Sequence, residues 1–245
     1  MIAKEALAAV KEQLAADLNC NPGDFEKEGI IFCEAKENPG RRPFPRDNTH
    51  FEMLTMGKGV VVSATADILS YLEEELHNKT RDEAFNMPFV RGMGIYFLPG
   101  DLALLPYSEG YSFSFIEKED IPKLYSLEGF DYTLNRGADH PRPTVLALTA
   151  NKEEVVAGMA AASNDCHMLW QIGIDVAPAH RGGGLAAVLT GRLADCIISR
   201  GKVPYYGTAA GNIPSQRTAV RAGLVPAWSQ AYRGCFDGVM TAPTG

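Results

Sequence analysis

The chain has 245 residues, enough for one large domain or two small domains with a well-buried core. Its residues are 46% hydrophobic and 22% charged, which is typical of a globular protein, and no run is long and apolar enough to span a bilayer. Thirty acidic residues against 23 basic ones give a net charge of -7, which argues against a nucleic-acid partner held through its phosphates.

The N-terminal residues and the cysteines indicate where the protein works. Residues 1–18 have the periodicity of an amphipathic helix rather than the features of a signal peptide. The apolar face of this helix contains Leu7, Val10, Leu14 and Leu18. Five cysteines, an odd number with no CxxC spacing, favour reduced thiols over a disulfide framework or a zinc site. We therefore predict a cytoplasmic protein without a metal and without a membrane partner.

Residues up to about 106 alternate between irregular and regular patterns. Prolines at high density predict an irregular segment over 38–48, and residues 51–62 have the pattern of a hairpin that turns at 57–59. A helix with Ile68, Leu72 and Leu76 in its buried stripe follows. Frequent glycines and prolines predict another irregular segment over 78–104.

The pattern becomes regular after residue 110. The predicted elements are a strand at 111–116, a helix at 118–127, strands at 144–149, 155–162 and 168–176, a long helix, a strand at 203–208, a second helix and a strand at 224–236. The three central strands have short turns between them, so they predict an antiparallel meander. We predict an α/β fold with a mixed, mostly antiparallel sheet flanked by helices. We also predict an additional N-terminal α/β region at 1–106 that packs on a domain at 107–245. This region is expected to border the side of that domain's site where a second ligand would bind.

The most informative stretch joins a strand to a helix. Pro178 ends the strand, Gly182, Gly183 and Gly184 follow Arg181, and Leu185 begins a helical stripe. The first N–H groups of a helix have no partner within the helix, and the helix dipole makes that end positive. Glycines leave these N–H groups uncovered, so the turn predicts a site for a pyrophosphate.

A dinucleotide would be a competing ligand for this turn. The spacing of Gly182, Gly184 and Ala187 also satisfies the dinucleotide fingerprint, which expects an acidic residue about 20 positions later on the next strand. The strand at 203–208 contains no acidic residue, and the turn follows a meander rather than opening a βαβ unit. Both observations argue against a nucleotide-dependent oxidoreductase, which is the least favoured of the functions that we consider.

Two motifs in this half of the chain resemble those of the GNAT superfamily of N-acetyltransferases. The coenzyme motif of that family, Gln/Arg-x-x-Gly-x-Gly/Ala, is met by Arg181, Gly184 and Ala186. Its second signature is met by Asn212, Ser215 and the pair at 223–224. The resemblance runs from about residue 111 to the end, and the extended N-terminal region is similar to that of a bacterial subgroup.

The resemblance implies a role for acetyl-CoA as co-substrate. It implies that the strand at 172–176 splays from the strand at 203–208, so that the pantetheine arm lies in the wedge between them. Main-chain groups of Ile174 and Val176 would bind the arm and polarise the thioester carbonyl. The residues expected to bind the coenzyme are Ile174, Asp175, Val176, Arg181, Gly182, Gly183, Gly184, Leu185, Ala186, Asn212 and Ser215. For Asn212, a role as a helix cap is equally compatible with the sequence.

The sequence departs from the family where the catalytic acid and base are expected. Ala219 stands where many members have a tyrosine, and Trp170 and Gln171 stand where histone-acetylating members have a glutamate. The acid and base therefore cannot be transferred from the family. Substitute candidates are Asp175, Ser215 and Tyr205, followed by Tyr206 and His167.

The leading hypothesis is an enzyme that moves an acetyl group from acetyl-CoA to a small-molecule or peptide amine. No cysteine has the surroundings that a nucleophile needs, so we predict direct attack in a ternary complex rather than a covalent acyl-enzyme. The alternative is a non-catalytic acyl-CoA sensor with the same fold, which the missing tyrosine and glutamate favour. A homodimer is left open.

Overall fold

The computed structural model describes residues 3–42, 50–102, 105–106, 110–137, 139–234 and 236 of the chain. In chain order its helices and strands are α1 (Ala3–Leu18), β1 (Ile30–Glu34), β2 (Phe51–Thr55), β3 (Val60–Ala64), α2 (Ala66–Leu76), α3 (Arg81–Phe85), β4 (Val90–Pro99), β5 (Ser112–Glu117), β6 (Thr144–Lys152), β7 (Val155–Asn164), β8 (Leu169–Val176), α4 (Leu185–Ser199), β9 (Val203–Ala209), α5 (Ile213–Arg221) and β10 (Leu224–Gly234). These elements form two compact units, one of residues 1–9 and 97–226 and one of residues 10–96 and 227–245. No helix in the described ranges is long and apolar enough to cross a bilayer.

The second unit contains a small mixed sheet. Strands β2 and β3 form the predicted antiparallel hairpin, β1 pairs with β3 in parallel, and β10 pairs with β2 antiparallel. Helix α2 places Ile68, Leu72 and Leu76 in the core, as its periodicity predicts. Phe51 and Phe89 pack against them edge to face with centroids 6.0 Å apart.

Two predictions about local structure were wrong. The segment 78–104, predicted to be irregular, contains α3 and β4. Thr80 and Glu83 form a capping box that starts α3, and the glycines of β4 allow aromatic rings to lie close to its backbone. The helix predicted at 118–127 is a short 3-10 helix, Lys118–Leu124, because Pro122 cannot donate a helical hydrogen bond. Of the predicted irregular segment 38–48, residues 43–48 lie outside the described residues.

The first unit contains the predicted meander. Strands β5 to β8 pair antiparallel in sequence order, and β9 joins β8 in parallel. Helix α4 covers one face of this sheet, with Leu189 and Leu193 completely buried. A side chain at Gly158 of β7 would lie 3.1 Å from Leu189 and 3.3 Å from Leu185, so the glycine lets the helix lie close to the sheet. This packing fixes the first turn of α4 beside the end of β8.

The described fold is α/β, with mostly antiparallel strand pairing and flanking helices, as predicted from the sequence.

Candidate functional site

A wedge between β8 and β9 forms a cleft in the first unit. The two strands pair only from Leu169 with Val203 to Gln171 with Tyr205, although β8 continues to Val176. Strand β9 likewise continues to Ala209. Because the strands separate beyond the third pair, a cleft of about 1030 Å³ opens between them. The splay implied by the family resemblance is therefore present.

The glycine turn forms one end of this cleft. Gly182 and Gly184 have φ angles of 86° and 87°, a left-handed conformation that favours glycine, and Gly184 is the N-cap of α4. A side chain at Gly182 or Gly183 would meet no atom within 4 Å. The turn therefore leaves open space in front of the first N–H groups of a 15-residue helix.

Three arginines line the cleft near this turn, and the sequence analysis named only one of them. Arg181 donates a hydrogen bond from Nε to the carbonyl oxygen of Val176 at 2.8 Å. Arg217 and Arg221 come from α5, where their spacing of four residues puts them on the same face. A Cβ atom at Gly184 would lie 3.1 Å from Nη2 of Arg221. Two arginines one turn apart, within the second family motif, were the signal that sequence reasoning missed.

The start of α5 also lines the cleft. Asn212 is the N-cap of this helix, and its Oδ1 accepts a hydrogen bond from the N–H group of Ser215 at 3.2 Å. Both residues line the cleft, so Asn212 acts as a cap while facing the space where a coenzyme would lie. The Ser215 hydroxyl is 2.6 Å from the hydroxyl of Tyr206 on β9.

The neighbouring tyrosines of β9 have different surroundings. Tyr206 lines the cleft, and burial raises the pKa of its phenol above the ordinary value, with a further contribution from the charge of Asp175. The hydrogen bond from Ser215 lowers this pKa only in part. Tyr205 does not line the cleft, and its hydroxyl donates to the buried carboxylate of Asp165. The structure therefore places the hydroxyl of Tyr206 in the cleft and the hydroxyl of Tyr205 outside it.

Asp175 lies on the other strand of the wedge. Its Oδ2 accepts hydrogen bonds from Thr133 Oγ1 at 2.6 Å and from the N–H group of Tyr132 at 2.9 Å. Burial raises the pKa of the Asp175 carboxyl, although these hydrogen bonds oppose the shift. Sequence reasoning named Asp175 but not Thr133 and Tyr132, because their approach depends on tertiary packing.

The structure brings most of the predicted site residues together. The predicted residues that line the cleft are Ile174, Asp175, Val176, Arg181, Gly182, Gly184, Leu185, Ala186, Asn212 and Ser215. Gly183 and Tyr205 are not among its lining residues. None of the four described cysteines lines the cleft, and Cys235 lies outside the described residues.

Comparison with known proteins supports an assignment for this part of the chain. Residues 111–224 match the model of the Acetyltransferase (GNAT) family, and every residue that lines the cleft falls within this range. No curated protein sequence matches the chain.

Several solved structures are similar to this one at low sequence identity. An acetyltransferase of the GNAT family from Novosphingobium aromaticivorans is 19% identical, with 59% of this chain and 66% of that chain covered and a TM-score of 0.42. A GCN5-related N-acetyltransferase-like protein from Streptococcus suis is 17% identical, with 72% of each chain covered and a TM-score of 0.46. An acetyltransferase from Salmonella typhimurium, solved with acetyl-CoA, is 20% identical, with 51% of this chain and 94% of that chain covered and a TM-score of 0.37.

Proposed function

We propose that the cleft binds acetyl-CoA and transfers its acetyl group directly to an amine in a ternary complex, because residues 111–224 match the Acetyltransferase (GNAT) family model. One observation supports this proposal most strongly. The carboxyl of Asp175 and the phenol of Tyr206 line the same cleft as the open glycine turn. Asp175 and Tyr206 both have raised pKa values, and the charge of Asp175 is close enough to raise that of Tyr206. An acid and a base on opposite strands of a wedge suit a reaction that moves two protons.

In this proposal, the pyrophosphate of the coenzyme lies at the glycine turn, and its pantetheine arm extends from there into the cleft. Its pyrophosphate accepts hydrogen bonds from the N–H groups of residues 182–186, which the glycines leave uncovered. Arg217 and Arg221 lie on the same side and balance the phosphate charges. Beyond the phosphates, the pantetheine arm runs between β8 and β9, where main-chain groups of Ile174 and Val176 bind its amides and polarise the thioester carbonyl.

The reaction transfers an acyl group from sulfur to nitrogen. The acceptor nitrogen attacks the thioester carbon, the C–S bond breaks, and coenzyme A leaves as a thiolate. Asp175 accepts the proton that the amine loses, because an amine with a pKa of about 10 is protonated at neutral pH and must lose a proton to attack. Tyr206 gives its proton to the thiolate, and Ser215 holds the phenol in position.

Direct attack is favoured over a covalent acyl-enzyme by the composition of the cleft. Its lining residues include no cysteine, so a thiolate nucleophile would have to come from outside the described residues. Holding the amine and the thioester side by side supplies much of the acceleration.

A non-catalytic acyl-CoA sensor is the second candidate. The observation that favours it is Ala219, which is completely buried where many family members have an acidic tyrosine. Tyr206 supplies a hydroxyl to the same cleft from β9, so the enzyme remains the better supported function.

The test combines a transfer assay over a panel of amines with a calorimetric measurement of acetyl-CoA binding. We expect Asp175→Asn to lower kcat/KM on the order of 100-fold while acetyl-CoA affinity stays within a few-fold. Because the base must be deprotonated, wild-type kcat/KM falls as the pH drops through the raised pKa of Asp175, and the variant loses this acidic limb. Acetyl-CoA binding without turnover of any amine would instead establish the sensor.

A further inference from the structure

Strand β8 presents two different faces to its surroundings. Val176 points toward α4, because a side chain at Gly158 would lie 3.3 Å from it and equally close to Leu185. Side chains alternate along a strand, so Gln171, Gly173 and Asp175 point to the opposite face. A side chain at Gly173 would lie 2.2 Å from the carbonyl oxygen of Tyr132, which confirms that the chain around residue 132 covers this second face.

Arg142 lies at the far end of this second face. Its Nη1 donates long hydrogen bonds, each 3.4 Å, to Oε1 of Gln171 and to Oδ2 of Asp165. Asp165 has no exposed side-chain surface and also accepts hydrogen bonds from Ser163 at 2.7 Å and from Tyr205. The carboxylate of Asp165 is therefore well satisfied without a strong contact from Arg142.

The Arg142 guanidinium keeps donors available for a ligand. Its side chain is 49% exposed and lines the cleft. Within the described ranges of the chain, its Nε and Nη2 make no hydrogen bond. A planar guanidinium with two free N–H directions matches a carboxylate, which can accept two parallel hydrogen bonds.

The distance along β8 limits what can lie between Arg142 and the proposed base. Gln171 and Asp175 are four residues apart, about 13 Å between Cα atoms at roughly 3.3 Å per residue. The amine and carboxylate of a free α-amino acid share one carbon atom, so that molecule is too short to contact both ends. Tyr132 also lines the cleft, and 87% of its surface is exposed, so its aromatic ring is available to a methylene chain.

From these contacts we propose that Arg142 binds a carboxylate of the acceptor. The acceptor class is a linear ω-amino acid, with its amine at Asp175 and its carboxylate at Arg142. This inference rests on the proposed function, because it takes the acetylated amine to lie beside Asp175. It makes Arg142 a specificity-determining residue with no part in the chemical step.

The first test uses the unmodified protein and needs no variant to fold. Turnover of 6-aminohexanoate is compared with that of hexylamine and of glycine, all with acetyl-CoA. We expect kcat/KM for 6-aminohexanoate to exceed that for each of the others at least tenfold, with the advantage over hexylamine mainly in KM. Equal use of 6-aminohexanoate and hexylamine would overturn the proposal.

The second test separates this subsite from the chemistry. Calorimetry measures the binding of 6-aminohexanoate to the protein saturated with coenzyme A, so it reports on the subsite even when nothing is acetylated. We expect Arg142→Gln to weaken this binding at least tenfold and Arg142→Lys to weaken it less. Arg200→Gln is the matched control, because Arg200 pairs with Glu117 and neither residue lines the cleft.

The outcomes distinguish the two proposals. Binding that depends on Arg142 without turnover of any amine supports the carboxylate subsite and refutes the proposed activity. Binding that Arg142→Gln leaves unchanged, or that Arg200→Gln weakens equally, refutes the subsite whether or not amines are acetylated. Circular dichroism melting of each variant shows whether it folds, since Arg142 also faces the buried Asp165.

Discussion

At the scale of single residues, Tyr206 and Tyr205 allow a controlled test of the proposed acid. They are neighbours on β9, so their side chains point to opposite faces of the strand. Tyr206→Phe removes the proton donor and should lower kcat by about 10- to 100-fold, with loss of the basic limb of the pH–rate profile. A phenol is already protonated at neutral pH, and burial raises the pKa of Tyr206 further.

Tyr205→Phe is the matched control for that prediction. It removes one donor from the buried Asp165 carboxylate, so it should lower the free energy of unfolding by about 1–3 kcal/mol. The shape of the pH–rate profile should stay that of the wild type. A basic limb that disappears in Tyr205→Phe and persists in Tyr206→Phe would reverse the assignment of the two hydroxyls.

At the scale of elements, the two ends of α4 carry comparable glycines with different surroundings. Gly184 begins the helix with φ 87°, and Gly201 follows its end with φ 72°. A glutamate strains the backbone at either position, but only at Gly184 does it add a side chain and a negative charge where the phosphates would bind. Gly184→Glu should weaken acetyl-CoA binding at least tenfold, about 1.4 kcal/mol, in calorimetry.

Gly201→Glu should keep the acetyl-CoA affinity of the wild type with a similar loss of thermal stability. If both variants bind acetyl-CoA as tightly as the wild type, the phosphates lie elsewhere. If both lose affinity equally, the effect comes from strain in the helix.

The close approach of residues 132–133 to β8 depends on Gly173. Its Cβ atom in an alanine variant would lie 2.2 Å from a main-chain oxygen of Tyr132, so the backbone has to move. Gly173→Ala should destabilise the protein by about 1–3 kcal/mol and weaken the hydrogen bonds that orient Asp175. Thermal melting and kcat both report this, and Gly211→Ala, which meets no atom within 4 Å, should change neither.

The sequence was informative about elements whose signals are local. Alternating residues predicted the meander, and the glycines before Leu185 predicted the turn and the start of α4. The strand β4 was missed because its glycines have the composition of a loop, and only contact with aromatic rings explains them. The hydrogen-bond partners of Asp175 and Tyr206 could not be predicted from the sequence either, because Thr133 and Ser215 come close to them only through tertiary packing.

At the scale of the whole molecule, neither compact unit is a continuous stretch of chain. The predicted boundary at residue 106 would give a fragment of residues 107–245 that contains β10 but not β2. Ser229 to Ala231 of β10 would then lose their pairing partners, and an unpaired strand edge promotes association. We expect this fragment to aggregate in size-exclusion chromatography at concentrations where the full chain does not. A fragment that elutes as a monomer and melts cooperatively would establish the linear domain boundary.

The pairing of β10 with β2 also sets the order of events during synthesis. Met53 pairs with Ala231 and Thr55 pairs with Ser229, so partners are made 178 and 174 residues apart (231 − 53 and 229 − 55). The hairpin of β2 and β3 leaves the ribosome early, yet one edge of β2 finds its partner only after residues 111–224 have been translated. Loop closure over such a distance is slow relative to local pairing. During that interval one edge of β2 has no strand to pair with, and an unpaired strand edge promotes association between chains.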